Sequence, residues 1–226
     1  SGLISSLPMS SDLRLADLPA TLHLLPLVPW LLLPETVLPV TVTDAHDRGV
    51  LAAAMAAGGY VGVVQASGEE SGSPAGFYSV GCLARIHEEG RSVDGLQVRL
   101  EGLIRFRVRE ELPPEGGAPR AAVEYGEFAA DLAGGGAEPE GWKLEVFKDR
   151  IVEFGRRQFG SAGVLETMSP RQVVLFMAQT APFSPAERQA LLEARGFQDL
   201  IDTLAQLLSL NYLTTTPDTS PSSQVN

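Results

Sequence analysis

Side chains able to do chemistry are few in this chain, and their spacing does not favour catalysis. The histidines are His23, His46 and His87, the single cysteine is Cys82, and the lysines are Lys143 and Lys148. No H-x-x-x-H or H-E-x-x-H spacing occurs to set two imidazoles on one helical face around a metal. Asp44-Ala45-His46-Asp47 is the one acid–base cluster, and a hydrolase or transferase could use Asp44, His46 and Asp47. Its position just ahead of a helical period makes helix capping the simpler role. His87-Glu88-Glu89 reads as a solvated strand end, and Cys82, with no histidine or lysine near it in sequence, as a small buried hydrophobe. GSPAG at Gly72–Gly76 and GSAG at Gly160–Gly163 miss the G-x-S-x-G nucleophile elbow. Gly134-Gly135-Gly136 lacks the strand and helix context of a phosphate loop and reads as a hinge, and no G-x-x-x-x-G-K-[ST] is present to cradle phosphate. The expectation is therefore no catalytic residue, no metal and no cofactor.

Binding is the other possibility, and two stretches could carry it. The first is an arginine row, Arg99, Arg105, Arg107 and Arg109, on what reads as one outward strand face. RNA is the alternative ligand there. Against it stand the acidic neighbours Glu101, Glu110 and Glu111, the absence of interleaved aromatics, and a formal net charge of −11, which repels phosphate backbones. The second is Trp30-Leu31-Leu32-Leu33-Pro34, an apolar run between two short strands. These residues either close the core or present an apolar groove to unfolded or extended polypeptide, or to a protein partner.

The elements that hold these residues follow from local rules. Pro26, Pro29, Pro34 and Pro39 exclude a long helix and leave strands at about Leu22–Leu27 and Val37–Val42. A helix capped by Asp44 or Thr43 runs from Ala45 to about Ala57 and stops at Gly58-Gly59. Strands follow at Tyr60–Gln65 and Phe77–Glu88, with Ser67–Gly76 a surface loop and turns at Glu89-Gly90 and Asp94-Gly95. From Leu96 to Glu110 the even positions Val98, Leu100, Ile104, Phe106 and Val108 alternate with the arginines, so the even set faces inward, and Gly102 bends the strand. Ala121–Phe128 is a further strand after a turn at Pro113–Pro119.

Beyond Asp131 the period changes from two to about 3.6. Leu144, Phe147, Ile151 and Phe154 form one face of a helix within Trp142–Phe159. Ser169-Pro170-Arg171-Gln172 and Ser184-Pro185-Ala186-Glu187 are capping boxes with proline at the first helical position. A last helix carries Phe197, Leu200, Ile201, Leu204, Leu207 and Leu208 on one face. The domain plan is a leader, partly disordered, over 1–20, a β subdomain over 21–130, a linker over 131–141, helices over 142–212 and a disordered tail over 213–226. With one cysteine, no signal-peptide pattern and no apolar stretch of about 20 residues, a cytoplasmic protein without a membrane contact is expected, its oligomeric state open.

Two blocks of residues resemble the Lon protease N-terminal domain, a PUA-like substrate-binding module. Leu25-Pro26-Leu27-Val28-Pro29, then Leu33-Pro34 and Val37-Leu38-Pro39-Val40, is similar to that family's opening strand, loop and return strand. Gly81–Ile86, then Asp94-Gly95 and Leu100–Val108, is similar to its strand pair ending in G-x-x-R-F-x-V. The chain departs from the pattern at Glu35-Thr36, where the family usually has a glycine after the loop proline, and at Thr43–His46, where it has an acidic-proline-arginine-tyrosine helix start. The resemblance implies an α+β fold, a mainly antiparallel PUA-like β-barrel followed by a helical bundle. It also implies noncatalytic recognition of polypeptide by a stand-alone module without ATPase or peptidase parts, as an adaptor or scaffold related to proteolysis.

Overall fold

A computed structural model describes residues 13–27, 29–67, 76–92, 95–133, 141–159 and 163–214. The expectations for the start of the leader, most of the 67–76 loop, Asp94, most of the linker, most of the GSAG segment and the end of the tail lie outside the described residues.

Six strands form one sheet: β1 (Thr21–Pro26), β2 (Val37–Val42), β3 (Tyr60–Val64), β4 (Val80–Ser92), β5 (Gly95–Glu115) and β6 (Ala118–Glu124). Their order is β2-β5-β4-β3-β1-β6. Because β5 is long and bent, its C-terminal half also pairs with β6, so the pairing runs from β5 through β4, β3, β1 and β6 back to β5. Every pair is antiparallel except β1 with β3. Helix α1 (Ala45–Ala56) lies against β1, β3 and β6 through Val50, Leu51 and Ala54. The later helices are α2 (Gly141–Phe159), α3 (Pro170–Thr180), α4 (Pro185–Leu192) and α5 (Phe197–Thr214). Both capping boxes are present, with Ser169 and Ser184 accepting from Gln172 N–H and Glu187 N–H.

Three strand expectations are corrected. No turn interrupts Glu89-Gly90: β4 continues to Ser92, with the irregularity absorbed as a bulge between Glu88 and Gly90. The strand expected over Ala121–Phe128 stops at Glu124, and Gly126–Ala133 coils into 3₁₀ helix. There Tyr125 Oη donates to Pro19 O at 2.7 Å, and Phe128 and Asp131 turn inward. The third correction concerns β5. Leu83 pairs with Ile104, but Ala84 pairs with Gly102, so Leu103 is an extra residue that reverses the alternation. Val98, Leu100 and Arg105 consequently share the face of Cys82 and Ala84, whereas Ile104 and Phe106 share that of Gly81 and Leu83. Val98, Leu100, Ile104 and Phe106 are buried and Val108 is half-buried, but they lie on two different faces.

Both faces are covered at the bulge. On one, Phe106 lies against Gly81, where a Cβ would come within 2.4 Å of its ring. On the other, a Cβ at Gly102 would meet Leu33 O at 2.1 Å, so only glycine admits the Trp30–Leu33 loop to this place.

Candidate functional site

The loop between β1 and β2 is apolar, and several of its polar backbone groups are met by side chains. Leu31, Leu32 and Leu33 are 0%, 1% and 3% exposed, whereas Trp30 is 42% exposed. Gln65 Nε2 donates to Trp30 O at 2.8 Å, and Gln179 Nε2, from α3, donates to Leu31 O at 3.3 Å and to Thr36 Oγ1 at 2.9 Å. Thr36 Oγ1 donates to Leu33 O at 2.6 Å and accepts from Leu33 N–H at 3.2 Å. A buried irregular segment requires such partners, because an unpaired buried amide costs about 1–3 kcal/mol. The three leucines are thus packing between sheet and helices, and Trp30 is the part of the run that meets solvent.

Immediately after it, Glu35 has φ of 64°, the left-handed region that favours glycine. It is held there by its N–H donating to Gly102 O at 3.0 Å and by a two-point pair with Arg171, at 2.7 and 3.1 Å. The Arg171 guanidinium stacks on Phe197 at 4.1 Å. Leu33, Pro34 and Glu35 form one wall of an apolar cleft whose other wall is Leu175, Leu191, Phe197 and Leu200.

Arg105 and Asp131 also line that cleft. Arg105 was expected outward with the other arginines, and this is corrected: it is 8% exposed, because the bulge at Leu103 turns it toward the face that the helices cover. Its Nε and Nη2 donate to Asp131 at 2.9 and 2.8 Å, and its own N–H donates to Asp131 Oδ2 at 3.0 Å. Nη1 donates to Leu192 O at 3.0 Å and to Ala194 O, closing the end of α4. Phe128 lies beneath the guanidinium at 4.8 Å. The rest of the row is paired at the surface. Arg99 meets Glu89 at 3.4 Å, Arg107 meets Glu127 at 2.8 Å and Arg109 meets Glu124 at 2.9 Å. A phosphate would have to displace a carboxylate at each.

Asp44 caps α1, accepting from His46 N–H at 2.7 Å and Asp47 N–H at 3.1 Å. These backbone bonds, Asp47's first, hold its carboxyl below the usual range, and desolvation followed by the Asp44 charge raises that of Asp47. Both bonds are accepted by Asp44 Oδ1, the helix-capping role expected of this residue. Burial pushes the Cys82 thiol up, and the residue sits in the core as the small buried hydrophobe expected. His87 Nε2 meets Glu101 at 3.0 Å, a cross-strand pair in place of the solvated end expected. Among the described residues no group of histidine, cysteine and carboxylate side chains could hold a metal ion, and no helix is long and apolar enough to cross a membrane.

Sequence reasoning missed Glu35, Thr36, Gln65, Asp131, Arg171 and Gln179 as the residues that fix the loop and cleft. Most of their partners lie 26 to 143 residues away in the chain, so no local pattern announces them. The signal present in the sequence was one departure, a glutamate at Glu35 where the resembled family usually has glycine.

The N-terminal domain of the Lon protease of the Mycobacterium avium complex has a similar structure, with a TM-score of 0.61 and 17% identity over 85% of this chain and 98% of that one. A Lon N-terminal domain protein from Xanthomonas campestris gives 0.52 and 22% identity over 84% and 97%. No curated protein matches the chain in sequence. The fold is thus the mixed α+β arrangement of Lon N-terminal domains, and the family model for the substrate-binding domain of the ATP-dependent protease La (LON) matches residues 21–209. The chain belongs to the LON substrate-binding domain family.

Proposed function

We propose that the chain recognises unfolded or extended polypeptide without chemistry of its own, as an adaptor or scaffold. The observation that carries this reading is the apolar cleft between the loop and the C-terminal helices, walled by Leu33, Pro34, Leu175, Leu191, Phe197 and Leu200. A concave apolar surface flanked by an ion pair suits an apolar side chain presented on an extended backbone. A substrate-binding family supports it, since the substrates of a protease are polypeptides. In this reading residues 21–130 work as a PUA-like barrel and residues 142–212 as a helical bundle, with the cleft at their junction. Trp30 is the exposed aromatic anchor of the loop, and Leu31, Leu32, Leu33 and Pro34 contribute by fixing its position.

The test is retention of a reduced, carbamidomethylated polypeptide on immobilised protein. Wild type retains it, and Trp30→Ala combined with Leu175→Gln lowers retention about tenfold. No retention by wild type, or full retention by the double variant, would overturn the reading. The rival readings draw less support from the structure: Asp44 Oδ1 caps its helix, and each arginine of the row is paired with a carboxylate.

A further inference from the structure

Among the described residues, strand β2 lies at the end of the sheet order and pairs on one side only, with β5. Which of its backbone groups face the open side follows from two independent observations. Gly102 N–H donates to Thr36 O at 2.8 Å, so Thr36 points its carbonyl at β5. In antiparallel pairing the next position reverses, and Val37, opposite Glu101, points away. The same alternation sends Pro39 and Thr41 outward, and Pro39 has no N–H to give β5 in any case. The open edge therefore offers two N–H groups, of Val37 and Thr41, and three carbonyls, of Val37, Pro39 and Thr41. Val37 is 39% exposed, and Pro39 and Thr41 are exposed beside it.

An unpaired edge is normally guarded by charge or a bulge. β2 has neither: Val37–Val42 carries no charged side chain, its pairing with β5 runs without a register shift, and Pro39 is its single guard. The charges flanking it are engaged, Glu35 by Arg171, Glu101 by His87 and Arg99 by Glu89. Residues Leu33–Glu35, one wall of the cleft, lead directly into this edge.

We propose that polypeptide adds to the sheet as a further strand against β2, its backbone bonding Val37, Pro39 and Thr41 and one of its side chains entering the adjoining cleft. This rests on the polypeptide-recognition reading and gives it a mode. The occupant is an uncharged, apolar-alternating extended segment. No free charge at the edge recruits an acidic or basic one, and the net charge of −11 repels an acidic one. A second copy fits less well. In a symmetric β2–β2 pairing centred on Pro39, the prolines face each other and two bonds are missing, where a proline-free partner misses one.

The test uses the whole chain, ¹⁵N-labelled, with the reduced, carbamidomethylated polypeptide as probe, its capped cysteines uncharged. In the free protein the Val37 and Thr41 amides exchange with solvent quickly while those of Leu38 and Val40, bonded to β5, exchange slowly. Saturating probe slows Val37 and Thr41 by tenfold or more. Val37→Pro with Thr41→Pro deletes only outward N–H groups and weakens probe retention about tenfold, with Thr41→Pro alone intermediate. If wild type binds probe but its Val37 and Thr41 amides stay fast, strand addition is wrong while polypeptide recognition stands. If wild type binds no probe, both fail together. Protection that appears without probe and rises with protein concentration, accompanied by dimer in sedimentation, would overturn the proposal in favour of self-pairing.

Discussion

Two arginine–carboxylate pairs line the same cleft, and they are built oppositely. Arg105–Asp131 lies at its base, with side chains 10% and 4% exposed, and every neighbouring acceptor is a fixed backbone carbonyl or the carboxylate itself. Arg171–Glu35 lies at its rim, with side chains 20% and 28% exposed, and one partner stands on a strained backbone. Geometry alone does not separate them, since both are two-point pairs near 2.8 Å. Burial does. A charge already removed from water is strongly destabilising when it loses its partner, whereas a rim charge regains water.

The largest effect expected is that of Asp131→Ala. It strands the Arg105 guanidinium and an N–H group in the core and costs about 3–5 kcal/mol, read from the midpoint of urea unfolding. Replacing both members by apolar residues, Arg105→Met with Asp131→Leu, restores much of that loss, because no uncompensated charge remains. If the single and double variants are equally destabilised, the pair matters through its carbonyl contacts to Leu192 and Ala194 rather than through its charge.

Next in size is Thr36→Val, which keeps the shape of the side chain and deletes the hydroxyl that serves Leu33 and Gln179. The loss is about 1–3 kcal/mol, with Gln179→Ala smaller because its position is only half-buried. A double-mutant cycle between Thr36 and Gln179 should give a coupling above about 0.5 kcal/mol, and additivity would show that the loop is held by its leucines alone.

How legible this was in the sequence differs between the two pairs. The strands, both capping boxes and the helical faces follow from period and local chemistry, because each depends on residues a few positions apart. Arg105 defeated the same method, since the rule of alternation is sound only until a residue is inserted. Leu103 is that residue, and nothing in its type betrays the bulge. Leu31, Leu32 and Leu33 were ambiguous for a related reason: apolar type gives affinity for a core but not the direction in which a proline-broken loop presents it. Glu35 was the visible oddity, a large side chain where the family resemblance leads one to expect glycine, and it takes up the left-handed backbone a glycine would adopt freely.

That oddity yields a smaller and sharper prediction. Glu35→Ala loses the pair, worth up to about 1 kcal/mol, without relieving the backbone. Glu35→Gly loses the same pair but removes roughly 1 kcal/mol of left-handed strain. The glycine variant is thus near wild type in stability and above the alanine variant, and the gap between wild type and alanine narrows in 1 M salt, where screening acts within about 3 Å. An alanine variant as stable as the glycine one would mean that the left-handed backbone at this position carries no measurable cost.

Smallest is the pH response of exposed carboxylates, where the sign tests the account of each. The hydrogen bond from Arg107 holds Glu127 below its ordinary range, so its contribution is fully present above that range and fades as pH falls through the folded value. Arg107→Gln should remove that acid-side loss, seen as a flatter dependence of Tm on pH in the acid limb. Asp47 has the opposite sign: desolvation first, and then the Asp44 charge, raise it, so its ionisation opposes folding as pH rises through the folded value. Asp47→Asn should therefore raise Tm slightly at neutral pH, and the gain should vanish in acid, where wild-type Asp47 is protonated. A gain independent of pH would assign the effect to hydrogen bonding at the helix start rather than to charge.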